Sequence, residues 1–150
     1  MCVSNESIVT SGIFRRMFPF AARNGLRIVI VNAREYPRSS RLTSYDIGLI
    51  QRGNSAMRTE FFRLRSLDIL YFLDWFVRTQ KIPSAESFGR GQQGGLAVIG
   101  WSSGFTSIVS LLALAGTIVE QVPEDVIHNL ESYLRSICAY GPSIRTSPYP

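Results

Sequence analysis

The chain has 150 residues, the length of one ordinary domain, and 45% of them are hydrophobic while 18% are charged. This composition is typical of a globular protein with a buried core and excludes a disordered tail. The net charge is +5, and Lys81 is the only lysine among the cationic residues. Because the arginines are spread from Arg15 to Arg145, the sequence does not predict the concentrated basic face that nucleic-acid binding requires.

The two cysteines, Cys2 and Cys138, are too few and too far apart for a metal site or a disulfide framework. Cys138 lies in an apolar run, which predicts a small buried hydrophobic residue. The N-terminus has no basic stretch followed by an apolar one, so no secretory signal is predicted. A cytoplasmic location is therefore the default expectation.

In chain order, the first half of the sequence predicts two helices and one buried strand. Apolar residues recur at helical spacing after Ser11 and again, over a broader face, from Met57 to Thr79. Between them, Leu26–Val31 is short and almost wholly apolar, which is typical of a strand in a parallel sheet covered on both faces. Residues 1–10 carry little pattern, and residues 41–56 are expected to be irregular or weakly helical.

The second half begins with a Gly- and Ser-rich loop over residues 83–95 and alternates strands with helices. Leu96–Ile99 predicts a second buried strand and Ser136–Tyr140 a third. Apolar helices are predicted over 103–118 and 124–134 between these strands. Strands that alternate with helices are typical of right-handed parallel crossovers, so we expect an α/β, three-layer fold with a mostly parallel sheet of about three strands.

The strongest chemical motif is Gly100-Trp101-Ser102-Ser103-Gly104, placed between a predicted strand and a predicted helix. A serine at a sharp strand-to-helix turn has a strained backbone and exposes its hydroxyl at the carboxyl end of the sheet. Gly100 and Gly104 leave space where the turn passes close to neighbouring backbone. The motif predicts Ser102 as a nucleophile and the backbone N–H of Ser103 as an oxyanion donor, helped by the positive end of the next helix.

These residues resemble the α/β-hydrolase superfamily, in particular its fungal members of the AB hydrolase-1 type, over about residues 11–140. Leu26–Asn32 and the following Arg34–Ser40 look like the fourth strand and its "D-x-R-G-x-G-x-S" loop. Phe72–Phe76 resembles the helix before the nucleophile, and Gly94–Gly104 looks like the fifth strand and nucleophile elbow. The resemblance implies an esterase- or lipase-like hydrolase whose chain, residues 1–150, is a partial domain that runs through the sixth strand, without the cap and the C-terminal part.

The chain departs from the family pattern in three places. Val3–Ser7, where the resemblance puts the oxyanion loop after the third strand, contains neither His nor Gly. The family's catalytic acid follows the sixth or seventh strand, and Tyr140–Pro142 offers no acid. The family's histidine follows the eighth strand, and the one histidine here, His128, lies instead in the predicted helix 124–134. We therefore expect His128 to be a surface residue and the third strand to be missing.

Three functions remain open at this point. The first is a serine-dependent hydrolase of a small-molecule acyl ester, with little activity because the acid and base of the triad are absent. The second is a non-catalytic degenerate hydrolase that acts as a binding or scaffold protein. The third is a small membrane protein that uses Gly91–Val119, a stretch with no charged residue. We expect no cofactor, no metal and no nucleic-acid partner, regard a membrane partner as unlikely, and expect self-association through exposed sheet edges.

Overall fold

A computed structural model describes residues 2–5, 11–51, 53–88, 91–102 and 104–141. Its main sheet has four strands, all parallel, in the order β2-β1-β5-β6. The strands of this sheet are β1 (Cys2–Asn5), β2 (Val29–Asn32), β5 (Leu96–Trp101) and β6 (Leu134–Tyr140), and a separate antiparallel hairpin consists of β3 (Glu86–Phe88) and β4 (Gly91–Gln93). The predicted α/β class with a parallel sheet is confirmed.

The sequence did not predict β1, and the expectation that no strand lies between the first two predicted strands is wrong. Cys2–Asn5 pairs in parallel with β2 on one side and with β5 on the other, so β1 is a central strand. With only four residues and the mixed composition Cys-Val-Ser-Asn, it shows neither an apolar run nor an alternation. Its structure depends on two long-range neighbours, which local pattern does not reveal.

Helical segments connect the strands. They are a 3₁₀ helix (Ser11–Met17) that continues into α1 (Phe18–Arg23), then α2 (Ser44–Gln51), α3 (Ser55–Gln80), α4 (Gly104–Ala113), α5 (Ala115–Val119) and α6 (Glu124–Glu131). Pro19 starts α1 instead of kinking a longer helix, because the first turn needs no N–H donor from it. The side chain of Asn54 accepts a hydrogen bond from the Met57 N–H (3.0 Å) and so caps the start of α3.

Four sequence predictions differ from the structure in detail. Residues 44–51 are a regular helix, the loop over 83–95 contains the β3–β4 hairpin, and the helix predicted over 103–118 breaks at Leu114 into α4 and α5. The break between α4 and α5 occurs because the backbone of Leu114 leaves the helical region. The fourth concerns Cys138, which is exposed and not buried, because it lies on an outer strand.

Helices lie on both faces of the sheet. On one face α3, α4 and α6 form the main core, whose most buried members include Leu73, Val77, Val98, Ile108 and Ile118. On the other face, the buried Phe14 ring meets the Trp101 ring edge to face, with centroids 5.4 Å apart. Side chains therefore pack on both sides of the end of β5 that leads to the motif, at Trp101 on one face and at Val98 on the other.

The outer strands β2 and β6 each have one edge without a partner strand among the described residues. An open edge offers unpaired backbone N–H and C=O groups to another chain. The exposed residues of β6, among them Ser136 and Cys138, include no charge that would oppose pairing. We therefore predict concentration-dependent self-association in sedimentation velocity.

Lysine on an edge strand opposes such pairing. Ser136→Lys should shift the chain towards monomer, whereas Ser132→Lys, in the turn before β6, should not. A wild-type chain that stays monomeric at every concentration and melts cooperatively in urea would contradict this prediction.

Candidate functional site: the turn at Ser102

The backbone turns sharply between β5 and α4. Ser102 follows the last residue of β5 with a φ of +57°, and α4 begins two residues later at Gly104. Positive φ is uncommon and strained for a residue with a side chain, and such strain concentrates at functional sites. The turn is held by the Ser102 N–H, which donates to the Tyr140 carbonyl oxygen (2.9 Å), and by the Phe105 N–H, which donates to the Ser102 carbonyl oxygen (3.0 Å).

Gly100 has no room for a side chain. A Cβ built there would overlap the Gly104 carbonyl oxygen and lie 2.6 Å from the Cγ1 atom of Ile108. Ile108 has no exposed surface, so it is not free to move aside. The glycine therefore lets α4 pack closely over the end of β5. The sequence motif predicted a glycine here for this reason.

The turn lies at the carboxyl end of the sheet, next to its two central strands. Trp101 is level with Asn5 of β1 and with Tyr140 of β6, so the three strands end together. In open parallel sheets, ligands bind in the crevice outside this end. Ser102 itself is half-buried. Ser103, the predicted oxyanion donor, lies outside the described residues.

The side chains with titratable groups that the sequence singled out lie elsewhere. His128 is on α6 with 85% of its side chain exposed, and its Nδ1 atom is 3.8 Å from the Glu131 Oε2 atom. Because α6 leads within a few residues into the amino end of β6, His128 is near the opposite end of the sheet from Ser102. The expected surface position of His128 is confirmed. The Asp74 Oδ1 atom accepts hydrogen bonds from Arg78 (2.8 Å) and Asn129 (2.6 Å), so that carboxylate has structural partners.

A chain of four alternating charges joins the loop after β2 to α2 and α3. Arg34 donates two 2.8 Å hydrogen bonds to the two carboxylate oxygens of Asp68. The Nη1 atom of Arg65 lies 3.2 Å from Asp68 and its Nη2 atom 3.0 Å from Asp46. The guanidinium of Arg65 also lies over the Phe61 ring, 5.3 Å from its centroid. The sequence did not reveal this network, because its members come from three separate segments.

Asp46 is the buried end of this network, with only 3% of its surface exposed. Burial on its own would raise the pKa of Asp46. Hydrogen bonds from the Thr43 hydroxyl (2.7 Å) and backbone N–H (2.8 Å), with the charges of Arg65 and Arg34, outweigh it, so the pKa is lowered below its ordinary value. Thr43 and Asp46 form a reciprocal cap at the start of α2, since the Asp46 N–H donates to the Thr43 hydroxyl (3.1 Å).

A cavity of about 300 Å³ opens between the carboxyl end of β2 and α3. One wall is apolar and includes Phe72, Val98 and Ile108, while the other is polar and includes Ser39 and Arg65. Its size and mixed lining fit the lower end of small-molecule sites. Ser102 is not part of its wall.

Among the residues that the structure describes, no helix combines the length and the apolar character that crossing a bilayer requires. The stretch from Leu96 onward is a strand, a turn and two helices, and not one continuous rod. Within the described ranges, no three His, Cys, Asp or Glu side chains group as metal ligands.

Comparisons of this chain with models of known protein families, with curated proteins and with solved structures gave no match.

The crowding at Gly100 predicts a large effect of one added methyl group. Gly100→Ala should lower the free energy of unfolding by about 2–3 kcal/mol, because the methyl overlaps backbone and a buried side chain. Gly116→Ala is the matched control. A Cβ added at Gly116, inside α5, meets nothing within 4 Å, so this substitution should raise the free energy of unfolding by roughly 0.5–1 kcal/mol. Equal effects of the two substitutions in urea denaturation would contradict the tight approach of α4 to β5.

The buried carboxylate of Asp46 predicts a pH-dependent contribution to stability. Asp46→Asn should lower the free energy of unfolding at neutral pH by about 3 kcal/mol, since Arg65 loses a buried partner. Because the pKa of Asp46 is lowered in the folded state, its contribution is present above the unfolded value near 3.8 and is lost as pH falls through the folded value.

The variant should therefore lose less stability than the wild type between neutral and acidic pH, as urea melts at several pH values can measure. Asp125→Asn is the control, because Asp125 is largely exposed and loses only a solvent-screened 3.3 Å contact with Arg78, so this change should alter the pH dependence little. If the free energy of unfolding of Asp46→Asn fell with decreasing pH as steeply as that of the wild type, this account would be contradicted.

Proposed function

We propose that the chain is an α/β-hydrolase-type domain whose Ser102 is the nucleophile for acyl ester hydrolysis. One observation carries the proposal: Ser102 has a φ of +57° between a central parallel strand and a helix, beside a glycine that admits no side chain. A nucleophile elbow has this combination of strained serine and tight strand-to-helix turn.

The strand order supports the same proposal. In the fold that the sequence resembles, the third strand lies between the fourth and the fifth. If β2 is the fourth strand and β5 the fifth, then β1 fills the position of the third, and β6 that of the sixth.

The loop after β2 gives further support. The resembled loop pattern has a glycine directly after its arginine, and here Glu35 follows Arg34 with a φ of +70°, a conformation that favours glycine. Glu35 thus has a conformation that favours glycine at the position where the resembled pattern has one. Arg38, in the same loop, also has a positive φ of +69°.

The proposed chemistry is acyl transfer through a covalent intermediate. The Ser102 Oγ atom attacks the carbonyl carbon of the ester, the alcohol leaves with a proton, and water then cleaves the acyl-serine. Negative charge on the carbonyl oxygen would be stabilised by the backbone N–H of Ser103, as the motif predicts, and by the positive end of the dipole of α4, which begins at Gly104. A serine, and not an aspartate, at this position favours esters over the epoxides and haloalkanes handled by related branches.

The base is the weak part of this site. Without a histidine near its hydroxyl, a serine is a poor nucleophile at neutral pH. The one histidine of the chain is exposed on α6, so turnover should fall short of an intact triad by a factor on the order of 10⁴ to 10⁶. We therefore propose slow acylation of Ser102 and little turnover for this chain alone.

A fluorophosphonate probe tests the nucleophile directly, because serine attack on phosphorus expels fluoride and leaves a stable adduct. The wild-type chain should label slowly, Ser102→Ala should not label, and Ser110→Ala should label like the wild type. Ser110 is a matched control because it lies in α4, the helix that follows the turn at Ser102. Labelling is measured by intact mass. Equal labelling of wild type and Ser102→Ala would contradict the proposal.

A second candidate function is small-molecule binding without turnover. The cavity beside β2 favours it, since it combines apolar and polar walls and does not include Ser102. The same experiment separates the two candidates: absence of labelling in the folded wild-type chain supports binding alone.

A further inference from the structure

The net charge of the chain comes from one segment. Residues 7–34 contain five arginines and no acidic residue, whereas the rest of the chain has eleven cationic and eleven acidic residues and is balanced. The arginines are spread along the chain, but no acidic residue lies in this segment to balance them. Arg34 pairs with Asp68, so the other four arginines of the segment, all within residues 15–27, give this part of the chain its positive charge. Such a local charge attracts an anionic surface.

The structure exposes this segment as a surface that is both basic and apolar. We call residues 15–27, on the 3₁₀ helix, α1 and the turn after it, the basic-aromatic surface. Its exposed apolar side chains are those of Phe20 (65% exposed), Leu26 (54%), Phe18 (43%) and Met17 (40%). The inward side of the same helical segment is anchored, since Phe14 and Ala21 are buried.

The exposed apolar side chains lie next to one another and form one patch. Met17, Phe20, Ala21 and Leu26 line one shallow groove together with Ile28 and Asn24. Exposed aromatic and aliphatic side chains in a continuous patch mark an interaction surface.

Arginines surround this apolar patch. Arg15, Arg16 and Arg23 are exposed, and no ion pair among the described residues involves them. The Nη2 atom of Arg27 donates a hydrogen bond to the Oε1 atom of Gln80 (3.1 Å). Apolar side chains flanked by arginine are typical of helices that lie in the interface of an anionic membrane.

We propose that the basic-aromatic surface binds the surface of a membrane that contains anionic lipids, with its arginines at the headgroups and with Phe20 and Leu26 inserted. The proposal does not depend on the chemistry of Ser102. It concerns a peripheral contact and not a spanning helix. Duplex nucleic acid would use the arginines but would leave the apolar groove and Phe20 exposed, so we favour lipid.

Vesicle co-sedimentation tests the proposal with the full chain. Vesicles of phosphatidylcholine and phosphatidylserine in a two-to-one ratio should bind the chain, and phosphatidylcholine alone should not. Binding should weaken from about 0.1 M to about 1 M salt, as the screening length falls from about 10 Å to about 3 Å. The Ser102→Ala variant should bind like the wild type.

Charge-matched variants locate the contact. Arg16→Gln with Arg23→Gln should reduce binding about thirtyfold, since each arginine near an anionic surface contributes about fivefold. Arg41→Gln with Arg58→Gln, which removes the same charge from exposed positions elsewhere, should reduce it much less. Phe20→Ser should reduce binding roughly tenfold, and Tyr45→Ser, an exposed ring on α2, should not. Far-UV circular dichroism checks that each variant keeps the wild-type fold.

Three results would overturn the proposal. One is equal binding to vesicles with and without phosphatidylserine. Another is equal loss of binding in the two arginine pairs. The third is binding to duplex DNA, lost in Arg16→Gln with Arg23→Gln, without binding to either vesicle, which would assign the surface to nucleic acid.

Discussion

The close approach of α4 to the end of β5 determines how this molecule is organised around Ser102. This approach is possible because Gly100 has no Cβ. Any side chain at position 100 would meet the Gly104 carbonyl oxygen and Ile108. The same contact orients Ile108 into the core, where it has no exposed surface. The strained φ of Ser102 is stable only because the strand before it and the helix after it are both fixed by packing.

Packing around the turn involves both sides of the sheet. Under the turn, the core between β5 and the long helix α3 is formed by large aliphatic and aromatic side chains. On the other face, the ring of Trp101 packs against Phe14. Farther away, the ion pairs from Arg34 to Asp46 connect the loop after β2 to α3 and α2.

Sequence reasoning predicted the parts of the fold whose signal is local. The apolar periodicity of α3, the apolar run of β5 and the glycines around Ser102 each indicate the structure that is found. It failed where structure depends on distant partners. β1 is too short to show a pattern, the exposure of Cys138 follows from the outer position of β6, and the buried Asp46 depends on Arg65 from another helix.

The proposed functions use different parts of the chain for different physical reasons. The turn at Ser102 places a serine with a strained backbone at the carboxyl end of the sheet, where a substrate would meet the first N–H groups of α4. The basic-aromatic surface offers charge and exposed rings on the opposite helical layer. An enzyme that acts on esters at a lipid surface would use both, but each part has its own physical basis and its own experiment.

The central claim is that residues 96–113 form a strand, a left-handed turn and a helix. Backbone NMR tests this directly through the Cα and Cβ secondary chemical shifts of this segment. The account predicts extended shifts through Trp101, a positive-φ signature at Ser102 and helical shifts from Gly104 onward. Uniformly helical shifts from Leu96 to Ala113 would contradict it and would remove the basis for Ser102 as a nucleophile.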